Sequence, residues 1–213
     1  MGAVYLLRHG QASFGAADYD KLSELGAEQA AVVGGELRRR GVRFAKAYSG
    51  TMLRQRDTAL AAGFDVVEDE RWNEYDFLDV LRAHPPADPA PSDPRGFQAA
   101  LDEALVAWVA ADEGSAPGEG WAAFSGRVHA ALDELVASLG KGENALVFTS
   151  GGVIGAIAAR CIGAADTAFF ALNRVTCNAG VTKLVTGRAG ITLVAFNEHG
   201  HFEGDARTLL TYR

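Results

Sequence analysis

The pattern that most constrains the fold is a set of short apolar runs separated by longer segments of helical periodicity. Val4-Tyr5-Leu6-Leu7 is the first of these runs. A continuous apolar run of this length is typical of a strand that is buried on both faces of a sheet. Strands are predicted over 4–7, 45–48, 64–67, 145–149, 181–186 and 191–196. Helices are predicted from the N-cap Ser23 to Gly41, and over 51–62, 97–111, 121–139 and 151–161.

The order of these elements predicts the fold class. Strands alternate with helices, and the last two strands flank Gly187-Arg188-Ala189-Gly190, which is a hairpin signal. We therefore expect an α/β three-layer sandwich with a mostly parallel central sheet and helices on both faces. The chain has 213 residues, 48% of them hydrophobic, which suits a single domain over 1–213. All six prolines lie between Pro85 and Pro117, so we expect a lid or variable insertion at about 76–121.

Charge and hydropathy limit the partners of the protein. The formal net charge is -7, from 27 acidic and 20 basic residues, which disfavours nucleic acid and anionic membranes. No apolar run approaches the ~20 residues of a membrane span, and the start of the chain lacks the pattern of a signal peptide. We expect a cytoplasmic protein. The strand over 181–186 is a candidate sheet edge through which a homodimer could pair.

Three predicted strands end in residues that suit phosphate chemistry. The first ends in Arg8-His9-Gly10, the second is followed by Ser49 and Arg54, and the strand over 145–149 continues into Ser150-Gly151-Gly152. Ligands of open α/β sheets bind outside the carboxyl ends of the strands. Two arginines, a histidine and a helix N-terminus at one crevice would neutralise a phosphoryl dianion. The sequence therefore predicts a site for phosphate esters.

The ordered blocks resemble the histidine phosphatase superfamily, also called phosphoglycerate mutase-like. Its RHG signature is found as Arg8-His9-Gly10, and its second block, from a serine to Arg and Thr-Ala, is similar to residues 49–59. Its acidic block is similar to residues 72–76, and its first helix entry to residues 22–30. The resemblance covers nearly the whole chain in the right order. It implies a phosphomonoesterase that acts on a small phosphorylated metabolite and requires no metal or cofactor.

The resemblance also implies a role for individual residues. His9 is similar to the nucleophile that becomes phosphorylated, and Arg8 and Arg54 to the clamp on the phosphoryl oxygens. Glu74 is similar to the general acid, with Asp76 and Glu70 as rivals. Phosphate-binding candidates are Gly10, Gln11, Ser13, Ser150 and Gly151. The segment Gly118-Glu119-Gly120, together with the later Arg127, also resembles a family segment. Its role is either at the rim of the pocket or purely structural.

The main departure from the family is at Ser150. The family pattern is like Ser-His-Gly-Gly, whereas this chain has Thr149-Ser150-Gly151-Gly152. Losing one preorganised donor at a developing charge costs ~10²–10³ in rate. A catalytically weakened phosphate-ester-binding protein and a phosphoglycerate-type mutase therefore remain alternatives. His199 and His201 are candidate substitutes for the imidazole, although a polar turn at the sheet edge is the preferred interpretation and a metal site is disfavoured.

Overall fold

The protein has a central six-stranded sheet. The computed structural model describes residues 2–13, 20–86, 94–112, 114, 117–164, 166–188 and 190–212. The strands are β1 (Gly2–Arg8), β2 (Lys46–Ser49), β3 (Val67–Glu68), β4 (Asn144–Thr149), β5 (Val181–Gly187) and β6 (Gly190–Glu198). The α-helices are α1 (Glu24–Arg39), α2 (Leu53–Ala61), α3 (Phe77–Ala83), α4 (Pro94–Ala110), α5 (Trp121–Ala137), α6 (Gly151–Cys161) and α7 (Ala168–Val175). Short 3₁₀ turns lie at Glu70–Trp72, Gly200–Phe202 and Gly204–Leu209.

The sheet is mostly parallel, as the order of elements predicts. Its strand order is β3-β2-β4-β1-β5-β6, in which the first four strands are parallel and β5 and β6 are antiparallel to their neighbours. β1 lies inside the sheet between β4 and β5, and all its residues are buried. This position explains why the sequence of β1 is a continuous apolar run rather than an alternating one.

Helices cover both faces of the sheet, so that β1 contributes to two hydrophobic cores. Val4 and Leu6 pack in the core formed with α5 and α6. Ala3, Tyr5 and Leu7 pack in the core formed with α1 and α2. Because successive side chains of a strand point to opposite faces, this alternation follows directly from the extended backbone. The predicted α/β class with helices on both faces is confirmed.

Several element predictions need correction. The strand over 181–186 is β5, which lies between β1 and β6, so it is not a sheet edge and gives no support to a homodimer. The strand predicted over 64–67 shares only Val67 with β3, which spans Val67–Glu68. Helices α3 and α7 were not predicted, because each has only seven or eight residues and takes its stability from packing rather than from a long periodic pattern.

The segment proposed as an insertion, at about 76–121, is largely helical in its described parts. α3 and α4 contact each other through Phe77 and Phe97, whose ring centroids lie 6.0 Å apart. Trp108 of α4 packs against Tyr75 and Trp121, with centroid distances of 5.1 and 5.4 Å. Residues 87–93 lie outside the described part of the chain. Among the described helices, none combines the length and the apolar character needed to cross a bilayer.

Candidate active site

The carboxyl ends of β1 and β4 meet side by side. Arg8 pairs with Thr149 in the parallel register, and the His9 N–H donates to the Thr149 carbonyl at 2.9 Å. The His9 carbonyl in turn accepts from the Ala179 N–H at 3.3 Å and from Asn178 Nδ2 at 3.2 Å. The backbone of His9 is thus held from both neighbouring segments, and its side chain is buried. The fold fixes this imidazole before any ligand binds.

Hydrogen bonds define the tautomer of the His9 ring. Nδ1 lies 2.7 Å from the Gly10 carbonyl, so Nδ1 carries the proton and donates. Nε2 is then the acceptor, and Arg54 Nε donates to it at 3.2 Å. Burial, together with the charges of Arg54 and Arg8, holds the pKa of His9 well below its ordinary value. The ring is therefore neutral at pH 7 with a lone pair on Nε2, the form that attacks phosphorus.

Two buried arginines flank this ring. Arg54 Nη1 also forms a 2.6 Å ion pair with Asp20, and Arg8 Nη1 donates to the Thr176 carbonyl. Asp20 additionally accepts from the Leu53 N–H at 2.8 Å, at the N-terminus of α2. An acidic side chain is favourable at a helix N-terminus. Sequence reasoning missed Asp20, because nothing in the sequence places it beside Arg54, 34 residues away.

The turn after His9 is held close to α1. The Gly10 N–H donates to Thr58 Oγ1 at 3.0 Å, and Thr58 in turn donates to the Arg54 carbonyl at 2.6 Å. A Cβ on Gly10 would lie 2.3 Å from the Gly26 carbonyl oxygen, so only glycine permits this approach.

The Gln11 N–H donates to Gln29 at 2.8 Å. The Ser13 N–H donates to the Lys21 carbonyl at 2.8 Å. Both Gln11 and Ser13 are partly exposed.

The carboxyl group of Glu74 contacts the N-terminus of helix α6. Its Oε2 accepts from the Gly152 N–H at 2.8 Å, and its Oε1 accepts from the Tyr75 N–H at 3.3 Å. A Cβ on Gly152 would be 2.1 Å from Glu74 Oε1, so the missing side chain makes room for the carboxyl group. Asp76 instead caps α3, where it accepts from the Leu78 and Asp79 N–H groups. Asp76 is therefore engaged in capping α3, and the assignment of Glu74 as the general acid stays a prediction.

Ser150 and Gly151 lie at the start of the same helix. Ser150 is fully buried, and its Oγ accepts from Gln55 Nε2 at 2.7 Å. Ser150 occupies the N-cap position of α6, but its side chain makes no capping hydrogen bond. A Cβ on Gly151 would lie 2.8 Å from Asn173 Oδ1 and 3.6 Å from Arg8 Nε, which places this glycine beside Arg8. Gln55 and Asn173 are further site neighbours without a sequence signal.

The two late histidines lie in a turn, as the preferred interpretation predicts. His199 Nδ1 is 2.7 Å from the Asn197 carbonyl, and the ring of His201 packs on Phe202 with a centroid distance of 4.2 Å. Burial lowers the pKa of His201 to about 4. The charged groups that act on His201 are Arg40, Glu198 and Glu36. Within the described ranges, no three His, Cys, Asp or Glu side chains are placed to hold a metal ion.

Comparisons with known proteins point to one family. A family model described as "Histidine phosphatase superfamily (branch 1)" matches residues 4–199. The product of an open reading frame from Mycobacterium tuberculosis is 19% identical with a TM-score of 0.69, over 94% of this chain and 99% of its own. A mycobacterial glucosyl-3-phosphoglycerate phosphatase is 25% identical with a TM-score of 0.66, over 92% and 98%. A phosphoglycerate mutase from Bacillus anthracis is 24% identical with a TM-score of 0.66, over 93% and 94%. No curated protein matches the sequence.

Proposed function

Because the chain belongs to the histidine phosphatase superfamily, we propose that it is a phosphomonoesterase that hydrolyses a small phosphorylated metabolite through a phosphohistidine on His9. The observation that carries this proposal is the state of the His9 ring. Nδ1 is committed to the Gly10 carbonyl, and the Nε2 lone pair faces Arg54. Superfamily membership and the phosphatase and mutase neighbours support phosphatase or mutase activity in general.

The first half-reaction transfers the phosphoryl group to the protein. His9 Nε2 attacks phosphorus, the N–P bond forms, and the bond between phosphorus and the ester oxygen breaks. Arg8 and Arg54 balance the charge on the phosphoryl oxygens. Arg54 Nε first turns from Nε2 to a phosphoryl oxygen, since it covers the lone pair in this structure. The carboxyl group of Glu74 gives its proton to the departing alkoxide.

The second half-reaction releases phosphate. The Glu74 carboxylate takes a proton from a water molecule, the water oxygen bonds to phosphorus, and the N–P bond breaks. The proton that Glu74 gave up is thus restored, and His9 returns to its neutral form. Phosphate contacts are proposed for Gly10, Gln11, Ser13, Ser150 and Gly151. The insertion at about 76–121 is proposed to act as the lid that selects the alcohol.

One observation favours a second candidate, a phosphate-ester-binding protein of weak activity. Gln55 donates to the buried Ser150 hydroxyl at 2.7 Å, and we propose that Ser150 replaces the second histidine of the family pattern. A neutral hydroxyl reaches less far than an imidazole and carries no charge. The Ser150 hydroxyl still has its own proton to donate, and α6 adds backbone N–H groups at its N-terminus. These donors support an active enzyme without the second imidazole.

The proposal is tested with p-nitrophenyl phosphate and a panel of sugar and glycerate phosphates over a range of pH. We expect turnover, acid-labile phosphate on the protein after quenching, and a loss on the order of 10⁵-fold in His9→Ala. His129→Ala serves as the control, since His129 lies in α5 and the one described hydrogen bond of its side chain is to the Ala156 carbonyl of α6. Absence of turnover at every pH, together with no acid-labile phosphate, would reject the phosphatase.

The weak-activity candidate is tested by Ser150→His. We expect no gain in kcat/KM and a lower melting temperature, because Ser150 is fully buried and an imidazole overfills its position. A gain of about tenfold or more would instead support the weakened protein. In that case phosphate esters would raise the melting temperature of the native chain while turnover stayed near background.

A further inference from the structure

We infer that Arg127 is a positioning residue for the general acid, an inference that rests on the role proposed for Glu74. Arg127 belongs to α5 and lies outside the set of side chains around His9. Its Nη1 donates to two carbonyl oxygens of the segment before Glu74, those of Arg71 and Asn73, each at 2.9 Å. The second of these carbonyls belongs to the peptide bond that leads into Glu74. Arg127 therefore acts on the backbone that carries the acid.

The other side of the same guanidinium is fixed by Glu119. Nε and Nη2 donate to the two carboxylate oxygens of Glu119 at 2.5 and 2.9 Å. The Arg127 guanidinium carbon also lies 4.9 Å from the centroid of the Phe124 ring. The Glu119 carbonyl accepts from Trp108 Nε1 at 2.8 Å, which ties this residue to α4. A bidentate carboxylate pair orients a planar guanidinium in a way that an ammonium group does not.

The carbonyl between the two that Arg127 binds is also held. The Trp72 oxygen accepts from Thr149 Oγ1 at 2.7 Å and from Gln55 Nε2 at 3.2 Å. Three successive carbonyls, at positions 71, 72 and 73, are thus anchored by side chains of α5, β4 and α2. Glu74 is the next residue. Since a shift of about 1 Å in a catalytic group lowers rates by about 10²-fold, such anchoring matters for proton transfer.

Loss of this anchoring has a chemical signature. A general acid matters most when the departing oxygen is strongly basic, as in an alkyl ester, and little when it is weakly basic, as in p-nitrophenyl phosphate. A displaced Glu74 therefore slows alkyl esters selectively. A general loosening of the fold slows both esters alike. The ratio of the two kcat/KM values separates positioning of the acid from a merely structural role.

The test compares Arg127→Met with Arg160→Met. Arg160 also joins two helices, with a double hydrogen bond to Asp133 at 2.8 and 2.9 Å, and makes no contact with residues 71–73 among its described hydrogen bonds. We expect Arg127→Met to lower kcat/KM by about 10- to 100-fold for the best alkyl ester and by about threefold or less for p-nitrophenyl phosphate. Arg160→Met leaves the ratio unchanged. Equal losses on both esters, or none, would overturn the inference.

A second readout is independent of turnover. The Gly152 N–H donates to Glu74 Oε2, so its hydrogen exchange reports where the carboxyl group lies. We expect faster exchange at Gly152 in Arg127→Met and not in Arg160→Met; unchanged exchange contradicts the inference. If the wild type hydrolyses neither ester, the proposed function fails while this measurement still decides the positioning. If Arg127→Met does not fold, Glu119→Gln removes the bidentate partner and is expected to change exchange and ester ratio in the same direction.

Discussion

The ends of β1 and β4 lie side by side, yet they use their side chains differently. At the β1 end, the His9 lone pair accepts from Arg54 of α2, the charge of Arg8 also acts on the ring, and backbone groups hold the His9 peptide in place. At the β4 end, the hydroxyls of Thr149 and Ser150 bond to the Trp72 carbonyl and to Gln55. What β4 and α6 offer instead is a backbone N–H, which Gly152 gives to Glu74. The β1 end thus supplies the reactive imidazole beside two arginines, whereas the β4 end supplies the placement of the acid.

Adding a methyl group to a glycine at each strand end gives the largest expected contrast. A Cβ on Gly10 meets the backbone of Gly26 at 2.3 Å, whereas a Cβ on Gly152 meets Glu74 Oε1 at 2.1 Å. We expect Gly10→Ala to lower the free energy of unfolding by about 3 kcal/mol. Gly152→Ala meets side chains rather than backbone, with Tyr75 Cε1 at 2.6 Å as the second contact. It therefore displaces the carboxyl group, costs less stability than Gly10→Ala, and lowers kcat/KM for alkyl esters by about 10²-fold.

Urea titration and steady-state kinetics measure the two effects of these glycine substitutions. Gly126→Ala is the matched control, because its Cβ meets nothing within 4 Å in helix α5. We expect it to raise stability by about 0.5–1 kcal/mol and to leave kinetics unchanged. If kcat/KM of Gly152→Ala for alkyl esters stayed within about threefold of the wild-type value, the proposed difference between the two strand ends would be contradicted.

Removing the Ser150 hydroxyl is expected to have a smaller effect. Ser150→Ala leaves Gln55 Nε2 with the Trp72 carbonyl alone, so we expect a loss of about 1 kcal/mol in unfolding free energy and about tenfold in kcat/KM. Ser49→Ala is the control: Ser49 is equally buried, and its Oγ has no hydrogen-bond partner among the described residues. A loss of about 10³-fold in Ser150→Ala would show that the β4 end also acts through its side chain.

The smallest expected effect is the pH dependence of stability that His9 causes. Its folded pKa lies well below the unfolded value of 6.5, so the unfolded chain binds the proton more readily. The contribution of His9 to the free energy of unfolding is therefore fully present above pH 6.5. It is lost as the pH drops below this value toward the folded pKa. We expect His9→Asn to recover on the order of 1 kcal/mol of the stability lost between about pH 7.5 and about pH 5.5. Denaturant midpoints at both pH values measure it, and parallel curves for the two proteins would contradict the expectation.

Much of the fold could be predicted from local pattern. The run 4–7, the N-cap Ser23 and the glycines after β4 each indicate an element at the correct place, since burial on two faces and helix capping are local properties of the chain. The position of the last strands in the sheet could not be predicted in the same way. The pattern of β5 is that of a buried strand, but which strands flank it depends on contacts between distant segments.

The sequence by itself determined the α/β class, the order of the family blocks and the residue types at the strand ends. Only the tertiary structure decided which partners those residues have. Ser150 meets Gln55 across 95 residues, and Arg127 meets the Arg71 carbonyl across 56. Such pairs produce no periodic pattern in the sequence. Each pair consists of single polar groups that come together only when the chain folds. The local sequence around His9 therefore identifies the reactive group of this site. The position of the proposed acid depends on residues that are far away in the chain.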